Sequence, residues 1–290
     1  MSKKILITGT SSGFGKLIAQ TLIKKGHTVV ASMRDPKVKN KKAAEELETL
    51  GAHIVDIDVT NEKSVADGVK EAVKLAGGID VVINNAGAGT IGLQEEFTPD
   101  DWKRLFDINV FGVQRINRAV LPHMRSKNSG LLVHISSLLG KFVLPFMGPY
   151  NSSKHALEAL AENYRVELSG LGIDSVIVEP GGFGTGFISN QLPSSDKKRT
   201  IEYGEFANAP MNMMRPFEEN LKSPNGPNPQ MVADAVAKLI DTPAGQRPLR
   251  TVVDALGMGA PIEKINQVSE QVTTGIYDNF GIGGMLKLKT

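Results

Sequence analysis

Short apolar runs rich in Ile and Val alternate along the chain with longer stretches in which apolar residues recur every three or four positions. A run of four to six apolar residues suits a strand buried on both faces, whereas the longer period marks a helix with one buried side. The runs predict strands over residues 4–8, 28–32, 53–57, 81–84, 131–136, 173–178 and 250–253. The periodic stretches predict helices over 13–25, 43–50, 62–75, 100–124, 150–168 and 230–240. Strands alternating with helices define βαβ units, and right-handed crossovers put helices on both faces of a parallel sheet. The expected architecture is α/β: a single domain over residues 1–290, built on a doubly wound parallel sheet of about seven strands.

The alternation breaks between about 182 and 229. Pro193, Pro210, Pro216, Pro224, Pro227 and Pro229 fall there with Phe183, Phe187, Phe206, Met211, Met213, Met214 and Phe217. Proline interrupts both helices and strand ladders, so an irregular insertion is expected. Its apolar side chains point to a lid over a substrate, with a plain packing flap as the competing reading. Residues from about 255 to 290 form a C-terminal extension, weakly amphipathic at its start and glycine-rich at 281–284, to which the pattern assigns no structure.

The 290 residues, 41% hydrophobic and 22% charged, exclude a disordered chain. A net charge of +2 leaves no nucleic-acid footprint. Without cysteine there is no thiol nucleophile, thiolate metal site or disulfide scaffold, and no metal is expected. No stretch approaches the roughly 18 apolar residues of a membrane span, and the N-terminus lacks the features of a signal peptide. The expectation is a soluble, cytoplasmic protein.

The first predicted strand runs into Thr8-Gly9-Thr10-Ser11-Ser12-Gly13-Phe14-Gly15 and then directly into a helix. Glycines let the backbone turn sharply and approach a pyrophosphate, which the free N–H groups and helix dipole attract. Two other motifs overlap here. Gly9-Thr10-Ser11-Ser12-Gly13 fits a nucleophile elbow, but the five His, at 27, 53, 123, 134 and 155, all precede the sixth strand, where the base would be expected to follow. Gly15-Lys16 resembles the end of a Walker A loop, but Thr10 and Leu17 stand where Gly and a hydroxyl are required. After the second strand comes Met33-Arg34-Asp35. Arg34 suits a 2′-phosphate, and NADP(H) is favoured; Asp35 reaching an unphosphorylated ribose, as in NAD binding, is the alternative.

Tyr150-Asn151-Ser152-Ser153-Lys154 opens a predicted helix and puts Tyr150 and Lys154 on one face. An ammonium at roughly 5–6 Å favours the phenolate by about 2 pK units, which would bring Tyr150 into range as a general acid/base. Ser136 and Ser137 end a strand at the same sheet edge, as do Asn84 and Asn85, and Asn109 is a polar residue inside a helical stretch.

Together these residues resemble the short-chain dehydrogenase/reductase family, in the branch marked TGxxxGxG and YxxxK, and most nearly its hydroxysteroid and retinol dehydrogenase subgroup. The resemblance is close over residues 3 to 185. It implies a Rossmann-like fold in which Gly9, Ser11, Ser12, Gly13, Phe14 and Gly15 cradle the pyrophosphate. It implies further that Asp58 and Val59 meet the adenine, that Asn85, Ala86 and Gly87 lie beside the cofactor, and that Pro180, Gly181 and Thr185 flank the nicotinamide. The implied catalytic tetrad is Asn109, Ser137, Tyr150 and Lys154, with Tyr150 and Lys154 also touching the cofactor. The implied activity is interconversion of a secondary alcohol and a ketone, with a hydrophobic small-molecule substrate, by a homodimer or homotetramer. The alternatives are a non-catalytic dinucleotide-binding regulator and, last, a sugar epimerase or dehydratase with different glycine spacing.

Overall fold

The computed structural model describes residues 2–187 and 191–290. Its strands are β1 (Lys4–Thr8), β2 (Thr28–Met33), β3 (His53–Asp56), β4 (Val81–Asn84), β5 (Gly130–Ile135), β6 (Ile173–Pro180) and β7 (Arg250–Val253). All pair in parallel, in the order β3-β2-β1-β4-β5-β6-β7. The helices are α1 (Gly13–Lys24), α2 (Lys41–Thr49), α3 (Glu62–Ala76), α4 (Pro99–Phe106), α5 (Gly112–Lys127), α6 (Gly148–Leu168), α7 (Lys197–Glu202), α8 (Ala209–Lys222), α9 (Gln230–Asp241) and α10 (Gly259–Asn279). Among them none is long and apolar enough to cross a membrane.

Alternation along the strands builds two cores. Ile5 and Ile7 of β1 pack with Ile18 and Leu22 of α1 and Val236 of α9 on one face. Leu6, between them, packs with Val69 of α3 and Val120 of α5 on the other. The sheet is buried on both sides, which is why its strands read as continuous apolar runs. Strand order reverses between β1 and β4, and the carboxyl ends of those two strands open the crevice in which such sheets bind ligands.

Several sequence-based boundaries move. The helix expected over 100–124 is three pieces: α4, a π-helical turn at Asp107–Phe111, and α5. Thr98 and Asp101 close a capping box with Pro99 in the first turn, so α4 has its own start. The segment expected to be irregular holds α7 and α8: Pro210 sits in the first turn of α8, where its missing N–H costs nothing, and Pro216 is carried in the interior. The unassigned tail is α10. Its pattern is weak because Ile262 and Asn266 face the body while Ile265, Val268, Val272 and Ile276 face solvent.

Candidate active site

The crevice holds a cavity of about 1330 Å³ lined from the β1 loop to α8. That exceeds the usual 300–1,000 Å³ of a single-ligand pocket.

The glycine loop forms one wall. Gly9 and Gly13 adopt φ of +70° and +55°, which side chains disfavour. A Cβ on Gly9 would lie 2.8 Å from Ala86 Cα, and one on Gly15 only 2.3 Å from Gly9 O and 2.4 Å from Asn85 Nδ2. Gly15 therefore shapes the loop from behind and does not line the cleft, whereas Gly9, Ser11, Ser12, Gly13 and Phe14 do. Asn85 Nδ2 donates to Thr8 O and Gly9 O at 2.9 and 3.0 Å, and Thr8 Oγ1 accepts from the amides of Asn85 and Ala86, each at 3.0 Å. The β1 and β4 loops are thus one unit. Ser12, at the N-cap of α1, makes no side-chain capping bond. The first-turn N–H groups lack a side-chain acceptor, and Gly9, Ser11, Ser12 and Gly13 line open space at the helix start: the residues fit a dinucleotide pyrophosphate.

At the far end Arg34, Asp58 and Val59 line the cleft. Lys39, which the motif reading missed, joins Arg34 there. Asp35 is not among the lining residues; its Oδ2 accepts from Lys39 N at 3.3 Å and its own amide donates to Asp56 Oδ1. The Asp35 carboxylate thus holds the turn and faces away from the cleft lining.

At the chemical end α6 starts at Gly148, and its first turn carries Tyr150 into the cleft beside Asn85, Ala86, Gly87, Ser136, Ser137, Pro180, Gly181 and Thr185. Tyr150 is 6% exposed, and Ser137 lines the same part of the cleft, its Oγ accepting from Leu139 N at 3.1 Å. Lys154 Nζ lies 5.7 Å from the Tyr150 ring centroid and donates to Ile135 O at 2.8 Å. Asn109 sits on the π turn, buried: its Oδ1 accepts from Ala88 N, and its Nδ2 donates to Ala88 O and Ser153 Oγ. Neither Asn109 nor Lys154 lines the cavity, but both lie behind Gly87, where a Cβ would come 3.4 Å from Asn109 Oδ1 and 3.9 Å from Lys154 Nζ.

The electrostatics differ from the expectation. Burial pushes the Tyr150 phenol above its usual range, and the Ser137 side chain offsets only part of this. Burial likewise pulls Lys154 down to about 8, against the opposing pull of Glu158. Lys154 spends a hydrogen bond on Ile135 O and is itself desolvated, so burial outweighs the acidification of Tyr150 expected from charge proximity alone. The phenol is held protonated at neutral pH.

The remaining wall comes from Leu144, Met147, Phe187, Leu192, Met213, Met214, Phe217 and Leu221, with Met258 at the head of α10. Phe187 packs on Tyr150 at 5.1 Å between ring centroids. Of these, Met213, Met214, Phe187 and Phe217 stood out in sequence as apolar residues of a proline-rich segment; Met258, Leu144 and Leu192 carried no signal. No His lines the cleft among the described residues, which removes the base a nucleophile elbow needs.

A parallel sheet with a glycine cradle at its switch point and a buried tyrosine beside it defines a dinucleotide-binding oxidoreductase. The family model for short chain dehydrogenases matches residues 3–195. A 3-ketodihydrosphingosine reductase of Bacteroides thetaiotaomicron is 35% identical, over 81% of this chain and 82% of its own. Human retinol dehydrogenase 8 is 33% identical over 83% and 78%. Among solved structures, a short-chain dehydrogenase from Streptomyces avermitilis superposes with a TM-score of 0.76 at 28% identity, covering 98% of this chain and 99% of that one. An actinorhodin polyketide ketoreductase with NADPH gives 0.74 at 26%, covering 89% and 97%. A Burkholderia phymatum short-chain dehydrogenase/reductase in complex with NAD gives 0.71 at 25%, covering 87% and 89%. The chain belongs to the short-chain dehydrogenase family and is an NAD(P)-dependent oxidoreductase.

Proposed function

We propose that the protein reduces a hydrophobic ketone to a secondary alcohol with NADPH, Tyr150 giving the proton. The observation that carries this reading is the buried Tyr150, lining the cleft with Ser137 and with Lys154 Nζ 5.7 Å from its ring, at the junction of the glycine cradle and an apolar wall. With the pyrophosphate of a dinucleotide in the cradle, its nicotinamide would supply the hydride. Ser137 holds the carbonyl oxygen, and Tyr150 delivers its proton to that oxygen as charge develops there. Lys154 stabilises the phenolate left behind and, ionising near pH 8, restores its proton. Asn109 ties the π turn to the loop at Ala88 after β4, on which this geometry rests. Arg34 and Lys39 supply two cationic groups for a 2′-phosphate, which supports NADPH over NADH.

The apolar wall around Met213, Met214 and Phe217 suits a substrate with a long aliphatic arm, the class in which the similar 3-ketodihydrosphingosine reductase falls by name. The test is NADPH oxidation across ketones of increasing chain length. Turnover should rise with chain length, and Tyr150→Phe should lose about 10²- to 10⁴-fold in kcat with NADPH affinity unchanged. Full activity in that variant removes Tyr150 from the reaction.

A further inference from the structure

Directly behind Tyr150 and Lys154 lies a buried group of charges that the proposed reaction does not use. Glu158 follows Lys154 by one turn of α6, so the two share a face; Glu158 is 2% exposed. Its Oε2 accepts from Arg250 Nε of β7 at 3.0 Å and lies 3.3 Å from Lys141 Nζ, in the turn that follows Ser137. Glu179 of β6, wholly buried, brings Oε1 to 3.7 Å from the same Arg250 Nε, and its Oε2 accepts from Asn266 Nδ2 of α10 at 2.6 Å. Glu162 closes the outer side against Arg250 and Lys141. A Cβ on Gly140 would sit 2.9 Å from both Glu158 Cγ and Ser136 Oγ, so Glu158 also abuts the Ser137 turn.

Glu158 and Glu179 converge on the one Arg250 Nε, at 3.0 and 3.7 Å, and each keeps a buried Oε1 with no hydrogen-bond donor. Two carboxylates this close repel, and a proton held between them removes one charge and gives the bare oxygens a partner. Burial first, and then the charge of Glu158, push the ionisation of Glu179 upward.

We propose that Glu158 and Glu179 act as one carboxyl pair with a single negative charge, a positioning device that keeps Lys154 cationic and fixes the turn carrying Ser137. The proposal rests on the reading of Tyr150 and Lys154 as the chemical end. The charged and titratable groups around the pair are Tyr150, Lys154 and Glu162 of α6, Lys141 beyond the Ser137 turn, and Arg250 of β7; α10 contributes only the neutral Asn266. A shared charge has a distinctive signature. Removing one acid lets the other ionise, so the charge beneath Lys154 persists; only removing both abolishes it.

Titration of Lys154 Nζ by ¹⁵N NMR, assigned through its loss in Lys154→Met, reads this without turnover. Glu158→Gln and Glu179→Gln should each move the Lys154 midpoint by less than about 0.3 pH unit, and the double variant should lower it by about one unit. The basic limb of kcat/KM for ketone reduction should follow in the double variant. In the wild type at pH 7, an infrared carbonyl band from a protonated carboxyl should be present, and it should vanish in either single variant. A single variant that shifts Lys154 as far as the double, a double variant that leaves it in place, or a wild type without the band overturns the pair. A protein that shows the band and the NMR pattern but reduces no ketone keeps the pair and loses the proposed reaction.

Discussion

The cleft has two unlike walls. At the nucleotide wall the contacts are mostly to backbone: the Gly9 to Gly15 loop and the Asn85 to Gly87 loop touch through main-chain atoms, the Thr8 hydroxyl and the Asn85 side-chain amide. At the substrate wall, side chain meets side chain: Phe217, Leu221 and Phe187 fill the space around Gly182 and Gly89 with movable groups. A ligand common to a whole family is met by atoms every residue possesses. A ligand that differs between members is met by side chains.

Two alanines test this contrast most sharply. Gly15→Ala drives a methyl into Gly9 O and Asn85 Nδ2, which the stitched loops cannot yield. NADPH affinity should fall about 10- to 100-fold, the effect of about 1–3 kcal/mol of overpacking, measured by calorimetry on folded protein. Gly182→Ala meets Phe217 Cζ at 2.5 Å and Leu221 Cδ2 at 3.2 Å, ends of side chains that rotate away. Its NADPH affinity should stay within about twofold of wild type, well under the 1.4 kcal/mol of a tenfold change. Equal losses at the two positions erase the distinction between the walls.

At the end of the nucleotide wall proposed for the adenosine, the contrast to test is chemical. Arg34→Ala should raise KM for NADPH about 10-fold, the effect of losing a charge-assisted hydrogen bond of about 1.5 kcal/mol, and leave KM for NADH unchanged. Lys39→Ala should act in the same direction. Equal effects on both cofactors reject the 2′-phosphate role. On the opposite wall, Phe217→Ala should lower kcat/KM for a long-chain ketone about 10-fold by the loss of about 1.5 kcal/mol of burial, and leave a short-chain ketone and NADPH affinity untouched.

The same division explains what the sequence revealed. Strands buried on both faces, a glycine loop between strand and helix, and Tyr150 four residues before Lys154 are local patterns, and each is legible because its partners lie within a few residues or in the next βα unit. Lys39, Leu144, Leu192 and Met258 reach the cleft only through tertiary folding, and nothing in their neighbours marks them. The rise in the Tyr150 ionisation was hidden for the same reason: spacing gave the distance to Lys154 but not the burial of both groups. The proline-rich segment misled in another way. Proline at a first turn starts a helix as readily as proline elsewhere ends one, and Pro210 is of the first kind.

The subtlest difference between the walls is how the substrate side is tethered. Asp101 of α4, 5% exposed, takes the amide of Ser195 on Oδ2 at 2.9 Å and its hydroxyl on Oδ1 at 2.6 Å. Arg104, ion-paired with Asp101, donates to Pro193 O at 3.1 Å. Burial alone would raise the Asp101 carboxyl, but the hydrogen bonds from Ser195 and Thr98 outweigh it and hold it below its ordinary range. A carboxyl depressed in the folded state stabilises the tether fully above its unfolded value, about 3.9, and loses that contribution only as pH falls through the lower folded value. Between pH 5 and 8 the tether is therefore pH-independent, and the KM for a long-chain ketone should not rise as pH falls across that window. Asp101→Asn turns one acceptor oxygen into a donor facing Ser195, and should raise that KM about threefold at every pH by loss of about 0.7 kcal/mol, with NADPH binding unchanged. An NADPH affinity that falls in step with the substrate shows that Asp101 supports the whole cleft and not the apolar wall alone.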